Sequence, residues 1–517
     1  VPVGGDDRSA PPGPDPGRGG DHRVTVWVLG DQLHRRHGAL AGAHPRTHRV
    51  LLVESEAQLH ARRWHRQRLH VVLSSMRHFA AALAAEGFAV DHRRAPGLAA
   101  GLAAHRAAHR PREVLASEPC SWDARRALRR LGVRVVRNDQ FLCHPDEFAA
   151  WAAGRPRLRM EDFYRWQRRR LGYLMDGDRP AGGRWNHDAE NRRPPPRDGR
   201  PWPEPVRDPL DDLDRAVLAD LGGTGWGAPP DGLWPTSREA ARRRLDHAIG
   251  VVLPRFGPHQ DAMLTGSWQM AHTLLSPALN LGWLHPREVC DAIEDAYRAG
   301  AVPVASAEGL LRQVLGWREY VWGLYWLWMP GWRDANELGA SRPLPPAFTG
   351  AAPTRMACLA EALEGVRARA WVHHIQRLMV LGNLCLLAGV RPAELVEWMW
   401  ASFVDGAEWV MLPNVVGMAL YADGGRMATK PYASGGAYLN RMGDACGRCP
   451  YDPRRRTGPD ACPYTTLYWD FLARHAGRLA AEPRVAPQVR AAPARPDLPA
   501  IRARAAEVLD LLDTGEL

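Results

Sequence analysis

Lysine is nearly missing. Of the 68 basic residues one, Lys430, is lysine, so the formal charge of +11 rests on guanidinium groups. Such an arginine excess fits either a solvated basic surface or a polyanionic partner, because guanidinium forks onto phosphate oxygens. Cysteine is sparse as well: 8 in 517 residues exclude a disulfide-stapled scaffold. No apolar run reaches the roughly 18 residues that a membrane span needs, so no membrane partner is expected. Val1 to Arg23 is rich in Pro, Gly and Asp, carries no apolar core and is not read as a secretory signal. A reduced, cytoplasmic setting follows as the expectation. No G-x-G-x-x-G follows the first apolar run, which removes an ordinary dinucleotide site from the N-terminal half.

The length predicts two or more domains with ample core. Residues 1–22 read as a disordered tail. From 23 to 150, short apolar runs (Val24 to Leu29, Val50 to Val53, Phe88 to Val90, Val114-Leu115, Val133 to Val136) alternate with helical stretches such as Val71 to Ala85. That alternation predicts an α/β domain with a parallel, Rossmann-like sheet, whose ligands sit beyond the carboxyl ends of the strands. Asp31, Gln32 and Glu54 stand at such ends, where polar loop caps are the plainer reading. Residues 151–237 read as a connector with one helix, Met160 to Leu174, and extended Pro- and Arg-rich sequence after it. From 238 to 480 the pattern is helical: Gly309 to Trp328, Val372 to Ala388 closed by Gly389, and a helix opened by Pro392. Residues 481–517 read as a Pro/Arg linker with a terminal helix from Ile501 to Leu512.

The cysteines are not evenly spread. Cys446-Gly-Arg-Cys449-Pro450 is followed by Cys462-Pro463, with Cys358 far upstream on a helix. Thiolates this close suit zinc or iron–sulfur iron, and a proline after a ligand accompanies iron–sulfur cysteines. Spacing alone leaves zinc, iron–sulfur and unrelated buried thiols open, and does not choose a fourth ligand.

Several longer strings are specific. They are Arg159-Met-Glu-Asp-Phe-Tyr164, Trp185-Asn-His-Asp-Ala-Glu-Asn-Arg192, Gln260-Asp-Ala-Met-Leu264, Leu274-Leu-Ser-Pro277, Gly316-Trp-Arg-Glu-Tyr320, His373-His-Ile-Gln-Arg-Leu378, Leu412-Pro-Asn-Val415 and Thr429-Lys-Pro-Tyr432. With the cysteine cluster, they resemble the cryptochrome/photolyase family in its bacterial iron–sulfur branch, which includes the prokaryotic (6-4) photolyases. The resemblance implies an α/β antenna domain followed by an all-helical domain that holds FAD folded into a U. It assigns Cys358, Cys446, Cys449 and Cys462 to a [4Fe–4S] cluster and leaves Cys120, Cys143, Cys290 and Cys385 as buried thiols.

The same resemblance implies roles for single residues. Thr273 and Ser276 match the loop that meets the flavin diphosphate. Gln313, Trp317 and Arg318 match the helix flooring the lesion pocket and flavin, and Arg377 and Asp405 match a charge pair beside the isoalloxazine. Asn383 and Asn414 are further flavin contacts, and His373 and His374 match paired histidines, with His374 giving a proton to the lesion. Asp31, Gln32 and Glu54 match a ribityl-lumazine antenna pocket. Asp188 and Glu190 match a connector segment at the DNA face where a carboxylate meets a divalent cation such as Mg2+, and Arg192 flanks the lesion entrance. The implied function is light-driven repair of pyrimidine (6-4) photoproducts in UV-damaged DNA by a monomer. The alternative is a blue-light photoreceptor without repair. Departures from the family favour the alternative: Met411 in place of a carboxylate facing the flavin, Phe348 and Ala407 in place of Trp and Tyr on the electron path, and Thr265-Gly-Ser-Trp268 in place of an acidic stretch. Trp398 remains on that path, and Trp400 or Trp409 offers a detour.

Overall fold

The computed structural model describes residues 23–517, so the expected disordered tail lies outside the described residues. Five parallel strands form one sheet: β1 (Val24–Trp27), β2 (His48–Ser55), β3 (Ala89–Ala95), β4 (Val114–Ser117) and β5 (Arg134–Val136), in the order β3-β2-β1-β4-β5. The central strands are apolar runs because both faces are covered, and Val50, Leu51 and Leu52 have no exposed surface. Helices α1 (Arg66–Ala85), α2 (Leu98–His109) and α3 (Trp122–Arg130) supply the crossovers. The strand order reverses between β1 and β4, which opens a crevice beyond their carboxyl ends.

The connector is more structured than its composition suggests. Helix α4 (Met160–Leu171) ends three residues before the expected Leu174, because Gly172 takes a left-handed cap at φ +83°. A second helix, α5 (Asp212–Leu221), lies inside the stretch expected to be extended. Asp211 and Asp214 close its first turn in a reciprocal capping box, and Val217 and Leu221 pack on Leu69 and Leu73 of α1. Arg168, fully buried, donates to the carbonyls of Tyr173, Leu174 and Trp185 and so folds the connector back on itself.

The rest is helical. Residues 304–328 form one long rod, and Gly323 lets it approach Phe148, whose ring would lie 2.1 Å from any added Cβ. The helix expected from Val372 begins at His374, which leaves His373 in the preceding loop. The expected C-terminal linker is itself helical over Ala486–Ala491. The last helix runs over Leu498–Thr514 and buries Ile501, Ala505, Val508 and Leu512, so this segment belongs to the helical core.

Candidate functional site

Three of the helices each widen into a π-helical segment: Arg312–Arg318, Gln376–Gly382 and Pro413–Ala419. Such segments are rare and gather at functional sites, since they re-aim side chains that a regular helix would stack. They carry Gln313, Trp317, Arg318, Arg377 and Asn414. Gly382 allows the second to press on the third, because a Cβ there would sit 2.8 Å from Ala419 Cβ. Glu161 of α4 holds Arg312, the neighbour of Gln313, through two bonds of 2.7 and 2.5 Å.

Asp405 is the hub of this region. It accepts from Arg377 at 2.9 and 3.1 Å and from Ser276 Oγ at 2.6 Å, while its carbonyl accepts from Asn280 at 2.9 Å. Buried Arg68 of α1, whose pKa is lowered to about 10 mainly by burial, lies in the field of both Asp405 and Asp31. Thr273 stands half-buried in the loop before Ser276, between two non-glycine residues with left-handed backbones, Met270 at φ +42° and Leu274 at φ +56°. Strain of this kind is held in place only where surroundings over-determine it, as at ligand sites. Gln376 Oε1 and Gln260 Oε1 are buried without a hydrogen-bond partner.

Not every expected residue points the same way. Gln313 makes only a long contact, 3.4 Å, to Gly309 O. Arg318 is buried between Phe141, 4.0 Å from its guanidinium, and Trp409, and pairs with Glu319 at 2.9 Å. Burial pushes Glu319 up to about 7 against the pull of Arg318. Asn383 is engaged with the backbone of Ser434, donating at 2.9 Å and accepting at 3.1 Å. Asn414 donates to Val410 O at 2.7 Å.

His373 is buried and His374 half-exposed, its Nε2 3.4 Å from Asp261. A third histidine absent from the sequence reading joins them: His272 stacks on His373 with centroids 4.7 Å apart and planes 11° from parallel. Burial and the neighbouring imidazoles hold His272 and His373 well below the ordinary histidine range. The outer rim is cationic. Lys430 lies beside Arg192 and Arg484 and is lowered by burial and by those charges, and Tyr432 feels both arginines together with Asp188 and Asp261. Asp188 is bonded to Arg192, and among the described residues it belongs to no set of three side chains able to hold a metal.

At the β1/β4 crevice, Gln32 donates to Glu118 O at 2.6 Å and keeps Oε1 buried without a partner. Asp31 faces Cys120, and burial raises its pKa. Glu54 is engaged elsewhere: Arg77 grips both of its oxygens and His92 reaches one at 3.0 Å. Those partners hold it near 2 against the opposing effect of burial.

Cys358, Cys446, Cys449 and Cys462 line one small cavity with Met356, Leu439, Tyr451, Pro463 and Tyr464. Burial, then the neighbouring thiols, raises Cys358 and pushes Cys446 up to about 12; the feature that suits a soft metal centre is the gathering of four sulfurs around one cavity. Cys462 caps the helix Pro463–Arg474, whose first amide groups face its sulfur and partly offset burial. The other four cysteines are buried and unpaired.

The departures have local accounts. Met411 is buried, and Phe348 packs under Trp398, whose indole donates to Phe348 O at 2.8 Å. Ala407 precedes the helix Glu408–Leu412. Trp400 is covered by Arg62 at 3.8 Å. Trp409 instead begins a continuous aromatic series: Trp322 at 5.7 Å, Trp326 at 5.5 Å from that, and half-buried Trp122 at 6.1 Å from Trp326. The altered loop is tied to the cysteine segment, since Thr265 N donates to Asp444 at 2.9 Å and Arg448 reaches Thr265 Oγ1.

The sequence pattern of the family described as deoxyribodipyrimidine photo-lyase-related protein matches residues 26–225. A protein of Agrobacterium fabrum named (6-4) photolyase is 40% identical over 476 residues, covering 89% of this chain and 94% of that one. An uncharacterized protein of Acanthamoeba polyphaga mimivirus is 29% identical over 94 residues, 18% of this chain and 69% of its own. In overall architecture the chain matches the crystal structure of a bacterial class III photolyase from Agrobacterium tumefaciens, with a TM-score of 0.59 and 14% identity over 95% of this chain and 98% of that one. No described helix is long and apolar enough to cross a membrane.

Proposed function

Since the chain belongs to the deoxyribodipyrimidine photo-lyase-related family, we propose that it is a light-dependent DNA lyase that repairs pyrimidine (6-4) photoproducts. The observation that carries this reading is the site's polarity: a half-exposed histidine, His374, stands beside Asp261, with Arg192 and Arg484 around Lys430 and Tyr432, and the adjoining His373 feels the charge of Arg377, which pairs with Asp405. FAD, when bound, supplies the light-driven electron that opens the lesion. The side chains present fit that group. Thr273 and Ser276 offer hydroxyls to its diphosphate, Trp317 and Arg318 floor its pocket with Asn383 and Asn414 at its edge, and Arg377 and Asp405 set a fixed charge pair beside its ring.

The protein's own work is positional and protonic. Lys430, Arg192 and Arg484 attract the phosphate backbone, a contribution that weakens with salt. The lesion must leave the base stack, which costs less for a distorted base, and enters over Gln313. His374 holds the proton delivered to it, a role suited to imidazole near neutral pH, with His373 behind it. Cys358, Cys446, Cys449 and Cys462 hold a [4Fe–4S] cluster. Asp31 and Gln32 begin a ribityl-lumazine pocket, in which Glu54 acts through its Arg77 and His92 partners. A Mg2+ ion at Asp188 requires that carboxylate to exchange its Arg192 partner. The series Trp409, Trp322, Trp326, Trp122 gives the chain an aromatic line from the site toward the surface in place of the positions lost at Phe348 and Ala407.

The test is anaerobic blue light on reduced, flavin-loaded protein with an oligonucleotide carrying one (6-4) lesion, read by chromatography. Several restored lesions per flavin are expected. No conversion with flavin and iron present would favour the photoreceptor reading that Met411, Phe348 and Ala407 suggest, and a cyclobutane-dimer oligonucleotide separates a different lesion from no repair.

A further inference from the structure

Three sets of side chains bring metal-ligating atoms within 4.8 Å of one another: His272, His373 and His374; Asp91, His105 and His109; and His78, Asp211 and Asp214. Two of the three are already engaged internally, with Asp214 Oδ1 lacking a hydrogen-bond partner but lying 3.4 Å from His70 Nε2. Asp91 accepts from Arg93 at 2.7 Å and bonds His105 at 2.6 Å, and His105 also bonds Thr25 at 2.8 Å. Asp211 caps α5 and pairs with His78 at 2.7 Å.

The histidine set is different. His272 Nε2 and His373 Nδ1 are both buried and neither has a hydrogen-bond partner, a costly condition for an imidazole nitrogen unless something binds it. The two rings are stacked, so their edges belong to one small volume, and His374 closes it from the solvent side. Asp261, at 3.4 Å from His374 Nε2, supplies the outer carboxylate that orients metal-bound imidazoles.

We infer that His272, His373 and His374 form a binding site for a borderline transition-metal dication such as Zn2+ or Co2+, with Asp261 as the outer-shell carboxylate. Three neutral imidazoles with an open fourth position match the preference of such ions for nitrogen ligands in a tetrahedron. Ligand nitrogens about 2.0–2.1 Å from the metal lie roughly 3.3 Å apart, so one of the two stacked rings must turn out of the stack to bring its in-plane lone pair to the ion, and half-exposed His374 is free to follow. Entry is from the mouth of the site. A metal there occupies the lone pair of His374, so on the function proposed above it would block proton delivery. That consequence rests on the repair reading, whereas the binding site does not.

The test titrates flavin-loaded protein anaerobically with Co2+ and reads the visible d–d bands, then displaces the cobalt with Zn2+. One equivalent with tetrahedral spectra free of thiolate bands is expected, and His272→Gln should weaken binding at least tenfold. Thiolate-to-cobalt charge-transfer bands would place the metal at the cysteines and overturn the proposal, as would binding unchanged in His272→Gln. Asp261→Asn, outside the stacked pair, should weaken binding about tenfold and keeps the test decisive if His272→Gln does not fold. Repair is measured separately with and without Zn2+. Cobalt binding without inhibition would uphold the site and count against the proton role of His374.

Discussion

Arg377 and Asp405 face each other through two parallel hydrogen bonds of 2.9 and 3.1 Å, in a pair that is largely buried. The geometry is bidentate, the strong form of this contact. Removing one member leaves a buried charge uncompensated, which costs about 3–5 kcal/mol. Asp405→Asn is therefore expected to lower the Tm even of flavin-free protein and to reduce the flavin retained on purification. On the placement proposed for Asp405, any flavin that stays should have a more positive midpoint potential, because a negative charge beside its ring would be gone. Unchanged Tm and potential together would remove Asp405 from the site.

The cysteine segment and the mouth of the site are joined by side chains. Arg448, between Cys446 and Cys449, pairs at 2.5 Å with Glu361, one turn beyond Cys358, and reaches Thr265. On the cluster proposed above, Cys449→Ala is expected to lose iron and yield poorly soluble, flavin-poor protein, since ligation of a metal centre contributes folding free energy to the segment that holds it. Arg448→Ala should keep its iron yet show faster hydrogen exchange across residues 264–268. Iron loss in Arg448→Ala, or a soluble, flavin-replete Cys449→Ala, would contradict this division of labour.

The sheet was readable in the sequence because strands covered on both faces are unbroken apolar runs, as at Val50 to Val53. Helix α5 was not, since its acidic first turn and proline-rich flanks look like loop. Its apolar side chains, Val217 and Leu221, are too few to set a period until they meet Leu69 and Leu73. The π-helical segments leave no mark in periodicity at all. His272 was missed for a related reason: one histidine before Thr273 says nothing until the fold stacks it on His373. The strings that carried the resemblance were legible as strings, yet their physical work differs from residue to residue. Asn383 tethers Ser434, and Glu54 is gripped by Arg77 and His92.

Acid should destabilise the fold. Burial holds His65 and His285 near 4 and His34 near 3. Their folded pKa values lie below the unfolded value, so the unfolded chain takes protons first as pH falls. Stability is full above about pH 6.5 and is lost progressively toward pH 4, each group costing about 2 kcal/mol by pH 5. Glu319 near 7 and Asp423 near 6, both raised by burial, act in the opposite sense over the same window and offset about 4 kcal/mol of the loss. The histidines win. Tm should fall between pH 7 and pH 5 in scans of the flavin-loaded protein, and a rise would mean that the carboxyls dominate.

Gly323 offers a test of how the two halves of the chain are locked. It faces Phe148, which is itself packed on Trp151, Phe163 and Tyr320, and an added Cβ would stand 2.1 Å from the Phe148 ring. Gly323→Ala must therefore displace an aromatic ring in a fully packed cluster, an overpacking cost of about 1–3 kcal/mol or more. The helix itself gains from alanine, by about 1 kcal/mol, so propensity alone predicts the opposite sign. Phe148→Leu alone should also destabilise, by leaving a cavity. In Gly323→Ala/Phe148→Leu the smaller side chain gives the methyl room, and the double variant should be more stable than the sum of the two single losses by about 1 kcal/mol or more. Strict additivity in denaturant or thermal unfolding would show that the ring moves aside freely and that this contact does not fix the rod against residues 145–152.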